Sequence, residues 1–210
     1  IEFPESQREL LKALKATGKP IVMVMFTGRP RAMTWEHENM DAILNAWFAG
    51  SEAGDAIADV LFGDVNPSGK LTMTFPRTTG QIPIYYNHKN TGRPLDEGAW
   101  FEKFRSNYLD VPNEPLYPFG YGLSYTSFSY GDIKLSSRQL EGNQKLTASI
   151  ELSNTGKYDG AEVVQLYIRD VVGSITRPMR ELKGFQKVYL KAGESKTVSF
   201  EISTEDLKFY

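Results

Sequence analysis

From about Thr126 onward, apolar and polar residues alternate along the chain. Leu146, Ala148, Ile150 and Leu152 are interleaved with Thr147, Ser149, Glu151 and Ser153. Val164, Leu166 and Ile168 alternate with Val163, Gln165, Tyr167 and Arg169, and Val198, Phe200 and Ile202 with Thr197, Ser199 and Glu201. A period of two puts each apolar set on one face of a strand. Turn-forming groups separate the runs: Asn154-Thr155-Gly156, Asp159-Gly160, Val172-Gly173-Ser174 and Ala192-Gly193-Glu194. Half-buried strands at this spacing predict a β-sandwich of immunoglobulin or fibronectin type III kind. No Cys pair or core Trp marks an antibody-type domain, the last Trp being Trp100.

The first third has a different rhythm. Ser6 to Thr17 reads as a helix, with Leu10, Leu11 and Leu14 as its stripe, Ser6 and Glu9 as a capping box and Gly18 as its stop. Ile21 to Phe26 is apolar throughout, which predicts a strand buried on both faces of a helix-covered parallel sheet. Met40 to Phe48 is ambiguous: Ile43, Leu44, Trp47 and Phe48 allow a helix running into a short strand. Ser51 is placed to cap a helix in which Ala56, Val60 and Gly63 share a face beside Ile57 and Leu61. Gly63 ends it, and Asn66-Pro67-Ser68-Gly69 turns into a strand Leu71 to Phe75. This alternation predicts an α/β layer.

Between Arg77 and Pro118 no period holds, yet Tyr85, Tyr86, Trp100, Phe101, Phe104 and Tyr108 crowd the segment. Such density indicates a long structured loop rather than a flexible linker. Thr-Gly-Arg-Pro at Thr27 to Pro30 and again at Thr91 to Pro94 has unrelated flanks, so it is shared turn chemistry and not a repeat.

Composition narrows the partners. The 210 residues carry 24 basic and 26 acidic side chains, a balance that gives no electrostatic case for nucleic acid or an anionic membrane. No apolar run approaches the roughly 20 residues of a membrane span. Without cysteine there is no disulfide framework or thiolate site, and His37 and His88 read as surface histidines rather than metal ligands. No cofactor is expected. Asp55, Asp59 and Asp64 fit a dipole-favoured helix start and a solvated face better than a catalytic pair. The aromatic loop is the best ligand candidate, because sugars stack C–H faces on Trp and Tyr while Arg, Asp and Asn bind their hydroxyls. His88, Asn90, Arg93, Trp100, Arg105 and Tyr108 supply those types, although the same aromatics could fill an interface between domains.

The run Trp47 to Leu71 resembles one found in glycoside hydrolase family 3 β-glucosidases. Four further stretches follow in the family's order: Gly28-Arg29-Pro30; Gln81-Ile82-Pro83 with Tyr85-Tyr86; Tyr117 to Tyr125; and Arg180 to Phe185 with the closing Thr204 to Leu207. The resemblance covers essentially the whole chain and leans toward bacterial, periplasmic members. It implies the C-terminal portion of a retaining β-glucosidase acting on terminal β-D-glucosyl residues, periplasmic or secreted. Family members use an Asp on an N-terminal barrel as nucleophile and a Glu upstream of the point matching Ile1, so no catalytic residue is carried over.

The expected fold is a partial α/β sandwich with a mostly parallel sheet at 1–117, its aromatic loop at 77–117, a connector at 118–128 and a fibronectin type III-like sandwich at 129–210. A start at Ile1 suggests a processed or excised piece. His88, Arg93, Trp100, Arg105 and Tyr108 are the expected substrate contacts, edging the cleft near the aglycone side. Expected partners are the β-glucoside or oligosaccharide substrate, the missing barrel and a second copy in a homodimer. The alternative function is a non-catalytic carbohydrate-binding or domain-interaction module.

Overall fold

The computed structural model describes residues 1–90, 92–96 and 98–208. Thr91, which opens the second Thr-Gly-Arg-Pro, lies outside them, as do the last two positions of the expected sandwich range. Two compact units emerge. The first comprises Ile1–Leu61, Leu71–Tyr86 and Thr91–Tyr121, and the second Phe62–Lys70, Asn87–Asn90 and Gly122–Tyr210.

In the first unit the order is α1 (Glu5–Lys15), β1 (Val22–Met25), α2 (Thr34–Asn39), β2 (Ala42–Asn45) and α3 (Ala53–Phe62). Strands β1 and β2 pair in parallel, Val22 opposite Ala42 through Met25 opposite Asn45. This is the one parallel sheet among the described residues, and the remaining strand pairs are antiparallel. The expectation of a mostly parallel sheet is therefore corrected: among the described residues two strands are parallel, because the third expected strand, Leu71 to Phe75, is irregular and bonds to Tyr117–Tyr121 instead. Val22 and Phe26, expected to be buried, are 51% and 56% exposed. The core gathers Met25, Met33, Phe75 and Leu116, with Phe3, Met23, Ile43, Trp47, Leu71 and Tyr117 packed against it.

Local details differ from expectation for physical reasons. Helix α1 opens at Pro4 without a side-chain cap, so the capping box is unused, but Gly18 does end the turn in the left-handed region at φ 70°. No helix forms at Met40 to Phe48. Met40 is already extended, Asn39 Nδ2 closes α2 on Trp35 O at 2.8 Å, and Asp41 Oδ2 accepts the Ile21 N–H at 2.8 Å. Those bonds start β2 instead. Helix α3 begins at Ala53 through a backbone turn onto Gly50 O, and Ala56 and Gly63 lie on its exposed side while Ile57 and Val60 are half-buried. Leu71 to Phe75 is irregular, yet it is tied to the Tyr117–Tyr121 stretch by Leu71 N to Tyr121 O (2.7 Å), Gly120 N to Leu71 O (2.7 Å) and Phe75 N to Tyr117 O (2.9 Å).

The second unit carries β3 (Phe128–Tyr130), β4 (Lys134–Leu135), β5 (Lys145–Asn154), β6 (Gly160–Ile168), β7 (Glu181–Leu190) and β8 (Ser195–Ser203). β5 pairs with β3, β4 and β8, and β6 pairs with β7. Leu152, Val164, Leu190 and Val198 interdigitate between the two sheets, with Phe128, Ile150, Val188 and Phe200 around them. Every one of the alternating runs read from the sequence is a strand here.

Asn66, in the Asn-Pro-Ser-Gly turn, buckles this unit. Its Oδ1 accepts the Ser124 hydroxyl (2.8 Å) and the Tyr125 N–H (2.9 Å), while Nδ2 donates to Asp159 O at 3.0 Å. Gly122 approaches Gly69 so closely that a Cβ would lie 2.2 Å from Gly69 O. Lys70 Nζ then reaches Gly122 O at 2.8 Å and the nearly buried Glu162 at 3.0 Å.

Candidate functional site

The aromatic loop contains one short 3-10 turn, Thr79–Gln81, and is otherwise shaped by side chains. Gln81 is wholly buried and organises it. Its Oε1 accepts the Arg77 N–H at 2.6 Å, and its Nε2 donates to Pro112 O (2.8 Å) and Glu114 O (3.4 Å). Arg77 Nε also reaches Glu114 O at 3.2 Å. The two ends of the loop are thus clamped, and what lies between is held at a fixed base.

Four expected contact residues belong to this part. Arg93 has φ 78°, and its carbonyl accepts the Ser106 N–H at 3.0 Å. Arg105 is committed elsewhere, to Glu102 Oε2 at 2.9 Å and Pro94 O at 3.3 Å. Tyr108 is half-buried, donating its hydroxyl to Gln81 O at 3.3 Å while its N–H is held by Asn113 Oδ1. Trp100 and Arg93 are exposed, as are Phe101 and Phe104. These aromatics therefore do not fill the interior of their own unit. Tyr86 does find a partner, stacking on Phe119 with ring centroids 4.4 Å apart. His88 and Asn90 fall in the other unit, where Lys89 bridges Pro178 and His88 O accepts the Met179 N–H at 2.8 Å. The expected set is thus divided: Arg93, Trp100, Arg105 and Tyr108 share one loop, and His88 does not join them within a unit.

Two features carried no role in the sequence reading. Tyr117 receives the edge of the His37 ring at 5.3 Å, stacks with Tyr121 at 5.2 Å and shares a 2.7 Å hydrogen bond with His37 Nδ1. Burial, with the neighbouring Tyr121, pushes its phenol up to about 12, so it stays protonated, and the direction of its bond to His37 is set by the imidazole tautomer. Glu36 is fully buried on α2 and meets Arg8 Nε at 3.0 Å, an ion pair that ties α1 to α2 and raises the Arg8 pKa. Among the described residues no group of three His, Asp or Glu side chains is arranged to hold a metal ion.

Residues 1–125 match the glycosyl hydrolase family 3 C-terminal domain. The chain belongs to that family. Residues 162–210 match a fibronectin type III-like domain. Over its whole length this family 3 chain is 58% identical to a periplasmic β-glucosidase of Salmonella typhimurium, of which it spans 27%. It is 45% identical over 96% of its length to a β-xylosidase of Formosa agariphila, again spanning 27% of that protein. Among solved structures, a β-glucosidase from Listeria innocua in complex with gluconolactone superposes on all of it with a TM-score of 0.93 at 49% identity, the match covering 29% of that chain. A mutant of the Listeria enzyme in complex with laminaribiose gives a TM-score of 0.92. The chain therefore spans little more than a quarter of the relatives it matches. No helix among the described residues is long and apolar enough to cross a membrane.

Proposed function

We propose that this chain is the C-terminal portion of a retaining β-glucosidase and supplies cleft walls and support rather than the reacting carboxylates. The end-to-end identity of 58% with a periplasmic β-glucosidase carries the reading. Retention requires two carboxyl groups about 5 Å apart astride the glycosidic bond. Asp55 and Asp59 both sit on the single helix α3, one turn apart, and not on facing elements. The reactive pair is assigned to the remainder of the polypeptide, the nucleophile to a barrel domain and the acid/base to the part of the α/β sandwich upstream of the point matching Ile1. The location follows from the same likeness: periplasmic or secreted.

Within this reading residues 1–117 are the α/β part, 118–128 the connector and 129–210 the sandwich. Trp100 and Arg93 are the best placed of the proposed contacts, because both are exposed on a loop whose base Gln81 clamps. Arg105 and Tyr108 act by shaping that loop, and His88 is kept as a separate contact. A second copy of the chain remains a proposed partner, tested by light scattering with and without residues 126–210.

The likeness to a β-xylosidase supports β-xylosides as the second substrate class. Hydrolysis of p-nitrophenyl β-glucoside and β-xyloside by the full-length enzyme separates the two, with a preference for the glucoside expected. Activity on neither, together with oligosaccharide binding, would favour the binding-module alternative.

A further inference from the structure

The C-terminal edge of β1 and β2 holds an arrangement that the aromatic loop does not explain. In open α/β sheets the carboxyl ends of parallel strands are where ligands bind. β1 runs there into Thr27-Gly28-Arg29, and β2 ends at Asn45, two residues before Trp47. Trp47 has φ 51°, a left-handed conformation that a bulky residue adopts only when its surroundings impose it. The imposing contact is the core: the Trp47 indole packs on Phe75 with centroids 5.8 Å apart. Anchoring Trp47 inward in that conformation turns the next residue outward, and Phe48 is 83% exposed.

The position of the exposed ring is defined. It lies over Gly28, where a Cβ would come 2.6 Å from Phe48 Cε2, so a side chain at that position would push the ring aside. The ledge under it is stiff, since the buried Thr27 hydroxyl donates to Arg29 O at 2.9 Å and accepts from Arg31 Nε at 3.2 Å. Asn45 accepts the Trp47 N–H at 3.5 Å, while its buried Nδ2 finds no protein acceptor among the described residues.

We propose that Phe48 is a specificity-determining residue that stacks on the leaving-group side of the glycoside. The proposal rests on the β-glucosidase reading and adds a residue to it. A glucosyl ring held for cleavage needs several convergent polar groups for its hydroxyls. Phe48 offers an exposed phenyl face over a glycine, which suits a flat aglycone or the C–H face of a second sugar, with Arg29 exposed beside it for a hydroxyl. In a retaining reaction the leaving group departs in the first step, before water hydrolyses the glycosyl-enzyme. Phe48 therefore acts on formation of that intermediate and not on its breakdown.

The test uses the full-length enzyme with Phe48→Ala, Phe48→Trp and Gly28→Ala, assayed on cellobiose and on an activated aryl β-glucoside. Phe48→Ala is expected to raise KM for cellobiose about fivefold, the worth of one aromatic contact. It should leave the breakdown of the glycosyl-enzyme, read after the burst with the aryl glucoside, unchanged. Phe48→Trp restores the KM, and Gly28→Ala, by displacing the ring, reproduces the loss. Unaltered KM in Phe48→Ala, with or without a lower melting temperature, overturns the assignment and makes Phe48 a packing residue. A wild-type enzyme without glycosidase activity overturns the β-glucosidase reading itself, and this proposal with it.

Discussion

Each unit contains a buried side-chain amide that holds loops together, and the two were not equally visible. Asn154 has its oxygen bound by the Thr126 hydroxyl (2.7 Å) and the Gly156 N–H (3.1 Å), and its nitrogen by Tyr158 O (2.8 Å) and Leu190 O (3.3 Å). Gln81 does the same work with Arg77, Pro112 and Glu114. Asn154 stands in a turn signal, and its bonds to Gly156 and Tyr158 follow from local turn chemistry, whereas those to Thr126 and Leu190, 28 and 36 residues away, have no local signal. Gln81 reaches carbonyls 31 and 33 residues away, and nothing local announces them. Repeated hydrogen-bond ladders organise the strands of the fibronectin-like unit, with Asn66 and Asn154 tying its loops, whereas the aromatic loop of the α/β unit is shaped by single side chains such as Gln81.

That contrast predicts where each unit breaks. Leu152→Ala, at a wholly buried position between the two sheets, should lose about 2–5 kcal/mol and open β5 to β8 together in amide exchange. Gln81→Ala should cost about 2–3 kcal/mol by orphaning a buried N–H and two carbonyls, with exchange rising at 77–83 and 112–116 and unchanged in β5 to β8. A global loss of protection in that variant would mean that the loops are not separately held.

Acid offers a third test. In the fibronectin-like unit, Asp159 is held below its ordinary 3.8 by the Ala192 N–H and the Tyr189 hydroxyl, and Asp206 by the Ser203 N–H and hydroxyl. Burial pulls Glu181 upward, but Lys183 and Arg177 outweigh it and leave the carboxyl below 4.5. A lowered folded pKa means that the unfolded chain binds more protons, so this stability is present above the unfolded pKa and lost as pH falls through the folded one. The fibronectin-like unit should therefore lose protection below about pH 4.5, and Arg177→Met should flatten that loss by removing one support of Glu181. The smallest effect is expected at Trp100→Ala. Being exposed, it should shift stability by less than about 0.5 kcal/mol while raising KM in the full-length enzyme. Unchanged kinetics would return Trp100 to an interface role.

The strands of the sandwich and the stop at Gly18 were legible because their causes are local: a period of two and a residue free to take positive φ. The same reasoning left Met40 to Phe48 ambiguous, allowing a helix running into a short strand; only the strand, β2, forms, with the Asp41 carboxylate accepting the Ile21 N–H from 20 residues back. Sequence neighbourhood suggested His88 alongside Arg93, Trp100, Arg105 and Tyr108, and the hydrogen bond from the Met179 N–H to His88 O is a long-range contact that no local pattern announces.

Taken alone, the amino-acid order determined the two architectural characters of the chain and its family likeness, because periodicity and turn residues act over a few positions. Tertiary structure alone decided that, among the strands of the described residues, only β1 and β2 run parallel, which buried amide closes the aromatic loop, and that Trp47 turns inward so that Phe48 faces out. These outcomes depend on which distant groups satisfy buried hydrogen bonds and fill the core, and such pairings leave no periodic trace along the chain.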